Sequence, residues 1–352
     1  MNPLHFSPAI ASALGAAILF GASTPFAKLF AGSLSPFLLA GLLYLGSGLG
    51  LTVLRLWRDR GWKSPGLAAA EWPWLLGAIA AGGVAGPVLL MAGLARTPAS
   101  TASLLLNLEA VLTAVLAWVV FRENADRRIV FGMMLIVAGG VLLAVPGSSQ
   151  MTAGFLGPAL IAAACLAWAV DNNLTRKVSA SDALFIAGSK GLVAGSANLS
   201  VAFSVGATWP APEVAAPAML IGFLGYGLSL VLFVLALRGL GAARTGAYFS
   251  TAPFIGAATA ILMLGEPTSL PFWLASVLMA AGVWLHLTER HEHEHTHEAI
   301  EHRHRHVHDA HHQHDHELEW GGSEPHAHLH RHVAVTHTHA HYPDTHHRHM
   351  HS

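Results

Sequence analysis

The sequence predicts an all-α integral membrane protein of ten transmembrane helices, built as two inverted five-helix repeats and followed by a disordered, histidine-rich C-terminal tail. Three observations lead there. The 352 residues are 53% hydrophobic and only 11% charged, with a mean hydropathy of +0.49, a balance that a water-covered surface does not support. Apolar runs of membrane-spanning length recur up to residue 288 and then stop. Segments from the two halves align with each other without a gap.

A bilayer core of about 30 Å needs about 20 mostly apolar residues of helix, because every backbone polar group must be satisfied within the segment. Such runs fall near 9–30, 36–57, 73–95, 99–121, 128–146, 153–174, 183–206, 215–237, 242–264 and 270–288, here called spans 1 to 10. They divide the chain into a first repeat, 1–146, a second, 153–288, and a tail, 289–352. The opening MNPLHFSPAIASALGAAILFG has neither the basic leader nor the small-residue cleavage site of a secretory signal, so it reads as a retained first span. The single cysteine, Cys165, excludes an intramolecular disulfide and reads as small-residue packing.

Charge placement orients the spans, since Lys and Arg are held on the cytoplasmic side. Arg55, Arg58, Arg60 and Lys63 follow span 2, and Arg122, Arg127 and Arg128 follow span 4. Arg176 and Lys177 follow span 6, Arg238 and Arg244 flank the exit of span 8, and Arg290 follows span 10. The other connections hold almost none beyond Lys28 and Arg96, so both termini and the tail are expected in the cytoplasm of a bacterial-type inner membrane. The basic residues form no stripe among exposed aromatics, which argues against nucleic acid as a partner.

The duplication is visible residue by residue. LTAVLAWVVFREN (112–124) aligns with IGAATAILMLGEP (255–267), matching Ala117 with Ala260 and Glu123 with Glu266. ILFGASTPFAKLF (18–30) pairs more loosely with CLAWAVDNNLTRK (165–177), setting Phe20 against Trp168 and Lys28 against Arg176. Five is odd, so the second half enters the membrane with opposite polarity, the plan of secondary transporters with a site near the midplane. With FGASTPF in span 1 and a Glu closing each of spans 4 and 9, residues 1 to about 288 resemble the drug/metabolite transporter superfamily, specifically EamA-type transporters. The resemblance implies secondary transport, commonly export of amino acids, metabolites or drugs, through a cavity lined by both halves. One departure stands out: span 9 keeps Pro253, whereas the matching position in span 4 is Ala110, preceded by Glu109.

Ionisable side chains at membrane depth are costly and usually face a cavity or a partner. Glu109 lies eleven residues into span 4, with Asn107 nearby and Thr113 one turn away. It reads as a protonatable carboxylate that couples protons or binds a cationic group; the plainer alternative is a protonated Glu bonded to a neighbouring helix. Asp171, with Asn172 and Asn173, closes span 6, and Lys190 lies in span 7; Asp171 and Lys190 can pair structurally or line an inward opening. Tyr226 in span 8 and Tyr248, Ser250 and Thr251 in span 9 are candidate cavity donors, though interhelical bonding accounts for them equally well. The substrate and coupling-ion set is therefore Glu109, Asn107, Asp171, Asn172, Lys190, Tyr226, Tyr248 and Ser250, with a proton as the coupling partner. Glu123 and Glu266 read as helix-end residues with structural or gating roles, and Gly86-Pro87 as a kink or hinge. Trp57, Trp72, Trp74, Trp209, Trp273 and Trp284 cluster at span ends as an aromatic belt.

The tail holds 23 of the 25 histidines. They alternate with other residues at His291, His293, His295 and His297, at His302, His304, His306 and His308, at His326, His328, His330 and His332, and at His337, His339 and His341. Neutral imidazole ligates Zn, Ni, Cu and Co, so a divalent transition metal is expected on the tail, although the membrane domain requires no cofactor. A pH-responsive polycation and low-complexity drift are the alternatives. With no apolar material for a core, the tail is expected to lack structure without metal.

Together these features predict a secondary transporter, an exporter of a small organic metabolite or amino acid. A divalent transition-metal (Ni, Co or Zn) transporter is the second reading and a non-transporting membrane metal sensor the third. No nucleophile with a base, phosphate loop or catalytic metal box occurs at recognisable spacing, so no enzyme is expected.

Overall fold

A computed structural model describes residues 8–121, 127–144, 155–178 and 181–288, and, in the tail, 291–297, 301–306, 326–331 and 335–341. For the tail, and for 117, 121, 176, 237–244, 247 and 287 within helices, it describes the backbone alone.

Residues 8–288 are helical wherever they are regular. The first repeat comprises α1 (Pro8–Lys28), α2 (Pro36–Asp59), α3 (Trp72–Ala78), α4 (Gly86–Leu94), α5 (Ala99–Leu105), α6 (Leu108–Phe121) and α7 (Arg127–Ala144). The second comprises α8 (Leu156–Thr175), α9 (Ala183–Ser204), α10 (Pro212–Gly222), α11 (Ser229–Phe249), α12 (Ala252–Leu264) and α13 (Leu270–Leu287). Starts and stops follow local chemistry. Ser35 caps α2 by accepting from Leu38 N–H at 3.2 Å, with Pro36 in its first turn, and Asp182 caps α9 by accepting from Phe185 N–H at 3.0 Å. Six stretches among the described residues are long and apolar enough to cross a membrane: Pro8–Lys28, Pro36–Asp59, Ala69–Leu94, Ala99–Val120, Arg127–Ala144 and Pro212–Ala236. The outer surface is apolar to a degree water would not tolerate, with Leu262 82%, Trp57 79% and Val53 67% exposed. Trp72, Trp74, Trp209, Trp273 and Trp284 are also exposed.

Spans 2 and 7, 4 and 9, and 5 and 10 each pack against their counterparts from the other repeat. In spans 2 and 7, Gly48 faces Gly191 so closely that a methyl group on Gly191 would lie 2.4 Å from the Gly48 nitrogen. In spans 5 and 10, a methyl on Gly282 would lie 2.6 Å from the Gly132 carbonyl oxygen. Phe20 of span 1 meets Trp168 of span 6 edge-on, with ring centroids 6.3 Å apart. Small residues at helix crossings bring backbones together where lipid supplies no hydrophobic drive between helices.

Span 3 is interrupted by a π-helical turn, Ile79–Ala85, whose carbonyls draw in the neighbouring side chains. The widened turn diverts Gly86 N–H to the Ala81 carbonyl. The next residue, Pro87, has no N–H, so Gly82 and Gly83 lose their usual donors. Tyr44 O–H and Trp168 Nε1–H both donate to the Gly82 carbonyl at 2.9 Å, and Asn198 Nδ2 donates to that of Gly83 at 3.3 Å. Gly86-Pro87 thus sits at a backbone defect held by three buried donors. A second π turn, Phe223–Leu228, lies in the other repeat.

Two expectations are corrected. No turn separates spans 8 and 9 near residues 238–241: α11 runs unbroken from Ser229 to Phe249, and the interruption comes at Ser250–Thr251. Gly239 and Gly241 mark turns in water, but a helix in lipid keeps them because it leaves no backbone group unpaired. The tail, expected without structure, carries β1 (His291–His297) paired antiparallel with β4 (Val335–His341), and β2 (Glu301–His306) with β3 (His326–Arg331). Strict alternation over six or seven residues is the strand period, which a composition argument overlooks. His308 and His332 lie outside the described residues, as do Arg122 and Glu123.

Candidate transport site

Span 4 breaks at Leu106–Asn107, between α5 and α6, so Glu109 sits in the first turn of α6 and not in the middle of a continuous helix. The break tightens to short-range bonds, Asn107 N–H to the Leu104 carbonyl at 3.1 Å and Glu109 N–H to that of Leu106 at 3.0 Å. Asn107 turns its amide back to the Leu104 carbonyl at 2.9 Å, and the Cys165 thiol reaches that of Leu105 at 3.7 Å. Asn107 therefore adds a second donor to a carbonyl beside the break, and Cys165 reaches the next one. Asn107 is 3% exposed and its other neighbour is Met279 Sδ at 3.9 Å, so it is not joined to Glu109.

Glu109 is paired across the repeats. Asn172 Nδ2 of α8 donates to Glu109 Oε1 at 2.8 Å and lies 3.4 Å from Thr113 Oγ1, one turn along α6. The N-terminal turn of α6 presents the positive end of its helix dipole to this carboxylate. Among the described residues no cation bonds this carboxylate directly; Lys190, the cation in electrostatic reach, is bonded to Asp171.

The adjacent residue on α8 makes a separate ion pair. Lys190 Nζ of α9 donates to both oxygens of Asp171, at 2.6 and 2.7 Å, and approaches Thr175 Oγ1 at 3.3 Å. Thr175 O–H donates in turn to Asp171 Oδ1 at 2.7 Å. Asp171 is 6% and Lys190 8% exposed, so the pair is enclosed. Gly82 makes room for it: a methyl group there would lie 1.9 Å from Asp171 Oδ2.

Beside these groups lies an aromatic cluster drawn from both repeats. Phe20 meets Tyr226 at 6.0 Å and Phe249 at 5.3 Å, Tyr44 meets Tyr226 at 5.5 Å, and Phe233 meets Phe249 at 4.9 Å between centroids. The buried Tyr226 hydroxyl has no hydrogen-bond partner among the described residues. Of the span 9 donors, Ser250 O–H bonds to the Gly246 carbonyl at 2.8 Å and Thr251 O–H to that of Tyr248 at 2.6 Å, so both hydroxyls are turned back onto their own helix. Tyr248 is partly buried beside them. Tyr44 and Asn198 escaped sequence reading because they stand singly in apolar spans; Phe20 and Trp168 were already paired by the internal alignment.

At the far end of span 4 the two repeats are pinned together. Glu266, following α12, accepts from Ala99 N–H at 2.6 Å and Ser100 N–H at 2.8 Å, at the start of α5. Lys28, at the end of α1, donates to the Leu94 and Thr97 carbonyls, the latter at 2.8 Å. The turn 95–98 is thereby held by an anion on amides and a cation on carbonyls, each matching the helix end it meets. Lys28 is engaged with backbone and does not reach out to an interface. Among the described residues, no three His, Cys, Asp or Glu side chains converge as a metal site.

Comparison with known proteins agrees with this architecture. The model of the EamA-like transporter family matches residues 7–145 and 155–288. An "Uncharacterized transporter" of Methanothermobacter thermautotrophicus is 28% identical over 289 residues, covering 78% of this chain and 84% of that one. A solved structure, described only as "Crystal structure of protein", superposes with a TM-score of 0.59 at 19% identity, covering 78% of this chain and 95% of its own, and so shares the fold. With both repeats matched, the chain belongs to the EamA-like transporter family, whose members are membrane transporters of small solutes and not enzymes.

Proposed function

We propose that the chain is a secondary active exporter of a small organic metabolite or amino acid, working by alternating access across ten spans with both termini in the cytoplasm. The reading places it in a bacterial-type inner membrane and takes a proton as the coupling ion. The observation that carries it is the Glu109–Asn172 pair, 2.8 Å across the repeat boundary, at a helix break beside aromatic rings from both halves. A carboxylate whose one strong partner is a neutral amide can exchange that partner for a proton or a solute amine without stranding a cation. Broken helices at the repeat interface are where secondary transporters place their sites.

The test is solute-driven proton movement in proteoliposomes, using a panel of proteinogenic amino acids under a pH gradient. Glu109→Gln is expected to abolish coupled transport and its pH dependence, and Glu109→Asp to restore part of it. Unchanged, pH-dependent transport in Glu109→Gln would remove Glu109 from the mechanism.

The tail supports a second element of the reading, a cytoplasmic store of divalent transition metal such as Zn, Ni, Co or Cu. In the strand register histidine stands opposite histidine at 291 and 341, 293 and 339, and 295 and 337. It does so again at 302 and 330, 304 and 328, and 306 and 326. Directly opposed residues of an antiparallel pair share a face with Cβ atoms about 5 Å apart. If metal efflux from the same proteoliposomes depended on the tail, the metal would be the solute and the organic reading would fall.

A further inference from the structure

A groove opens on the membrane-facing surface between α2 and the α10 side of the second repeat. Gly46, Leu49, Gly50, Val53, Leu54 and Trp57 form one wall, and Met219, Leu220 and Phe223 the other, around a cavity of about 630 Å³. Its shape follows from the crossing. Gly46 lets α2 touch the backbone of α10, where a methyl would lie 2.1 Å from the Met219 carbonyl oxygen. Gly50 accepts the Phe223 ring, 2.2 Å from such a methyl. Beyond these contacts the wall continues along α2 alone, as Val53 and Trp57, which are 67% and 79% exposed.

The dimensions and the charge indicate an occupant. From Gly46 to Trp57 the groove spans eleven residues of helix, about 16 Å at 1.5 Å per residue. Half of a hydrocarbon core of roughly 30 Å is about 15 Å, so the groove matches the depth of one leaflet. At its end stands the exposed Trp57, a residue type that settles at the headgroup level. Immediately beyond come Arg58, Arg60 and Lys63. Arg55 and Arg58 are balanced by Asp59 and Asp182. Arg60 and Lys63 are also exposed; Lys63 is within electrostatic reach of Asp59 as well, so four basic side chains share two carboxylates and the mouth of the apolar groove carries a net positive charge.

We propose that this groove binds an anionic phospholipid, one acyl chain lying along Gly46–Trp57 and the headgroup phosphate meeting Arg60 and Lys63. A zwitterionic lipid would fill the apolar part without the charge gain. A second copy of this chain would cover the apolar wall but would set Arg60 and Lys63 against like charges.

The test uses the full chain in mild detergent, with native mass spectrometry to count retained lipid and titrations with dioleoylphosphatidylglycerol and dioleoylphosphatidylcholine. One phosphatidylglycerol per chain is expected, bound more tightly than phosphatidylcholine. At about 1 kcal/mol for each basic side chain near an anionic surface, Arg60→Gln should weaken phosphatidylglycerol about fivefold and leave phosphatidylcholine unchanged. Leu220→Trp, placed at an exposed position in the groove, should weaken both lipids. Equal affinity for the two lipids, or Leu220→Trp without effect on either, would overturn the proposal. A dimer that Leu220→Trp dissociates while lipid binding persists would assign the groove to a second copy. Because no readout depends on transport, failure here leaves the function of the Glu109 site undecided either way.

Discussion

Removing the negative partner of the Asp171–Lys190 pair gives the sharpest test of how the interior is balanced. Both Asp171 oxygens lie within 2.7 Å of Lys190 Nζ, and both side chains are 9% exposed. Asp171→Asn preserves shape but leaves the ammonium with a neutral amide and the Thr175 hydroxyl. Breaking a buried pair by removing one partner costs about 3–5 kcal/mol, because the remaining charge stays desolvated, whereas replacing both partners with apolar groups is often neutral. Asp171→Asn should therefore lower the melting temperature of the detergent-solubilised chain by roughly 10 °C, and Lys190→Met should do the same. The double variant Asp171→Leu with Lys190→Met should melt well above either single one. The assay is thermal melting followed by size exclusion, with expression level as a control. Singles that melt within about 2 °C of the unmodified chain, or a double variant worse than both, would refute an enclosed, mutually compensating pair.

Three further outcomes follow from the geometry. Glu266→Ala removes the acceptor from the Ala99 and Ser100 amides; loss of such a cap is worth about 1–2 kcal/mol, so labelling of Thr97→Cys by an impermeant maleimide, in a Cys165→Ser background, should rise about tenfold. Unaltered labelling would show that the contact does not hold that end shut. Gly82→Ala should destabilise by about 1–3 kcal/mol through overpacking against Asp171. Gly246→Ala, where a methyl meets nothing within 4 Å, should raise the melting temperature slightly, and the reverse order would discredit the packing. By equilibrium dialysis, Zn and Ni should bind the full chain and not a chain ending at Arg290, and should be released below about pH 6, where imidazoles with a reference pKa of about 6.5 hold a proton instead of a metal. Retention by the shortened chain would move the metal into the membrane domain.

What the sequence disclosed and what it withheld divide along physical lines. Helical segments announce themselves because a bilayer forces about 20 apolar residues into one run, and the repeat announces itself because aligned residues survive in spans 4 and 9. The Asp171–Lys190 partnership was legible because charges in spans are few, and Glu109 stood out for the same reason. The fate of Asn107, Ser250 and Thr251 was not legible. Each is polar and intramembrane, as a cavity donor should be, but each turns its side chain back onto a carbonyl of its own helix beside a break. Hydropathy registers residue type and is blind to backbone defects, so it cannot separate a polar group that faces a solute from one that repairs its own helix. The unbroken α11 reflects the same blindness, since glycines that end helices in water do not do so in lipid.

Those defects are also what the two repeats share most closely. The register that sets Leu112 against Ile255 sets Gly82 against Gly225, each inside a π turn, and Asn107 against Ser250, each at a break. Side chains at the same positions have diverged: Pro87 is matched by Leu230, Ala110 by Pro253, and Glu109 by Ala252. A π turn or a break fixes where a span can bend and which carbonyls need donors, and both repeats need bends at equivalent depths if one half is to rock against the other. The carboxylate is under no such constraint, because a second acid related by the pseudo-symmetry would place two like charges near one midplane. The symmetric backbone can therefore serve the motion while a single asymmetric group, Glu109, serves the chemistry. Among the described residues, Asn172 is the side chain that hydrogen-bonds this group from the opposite repeat.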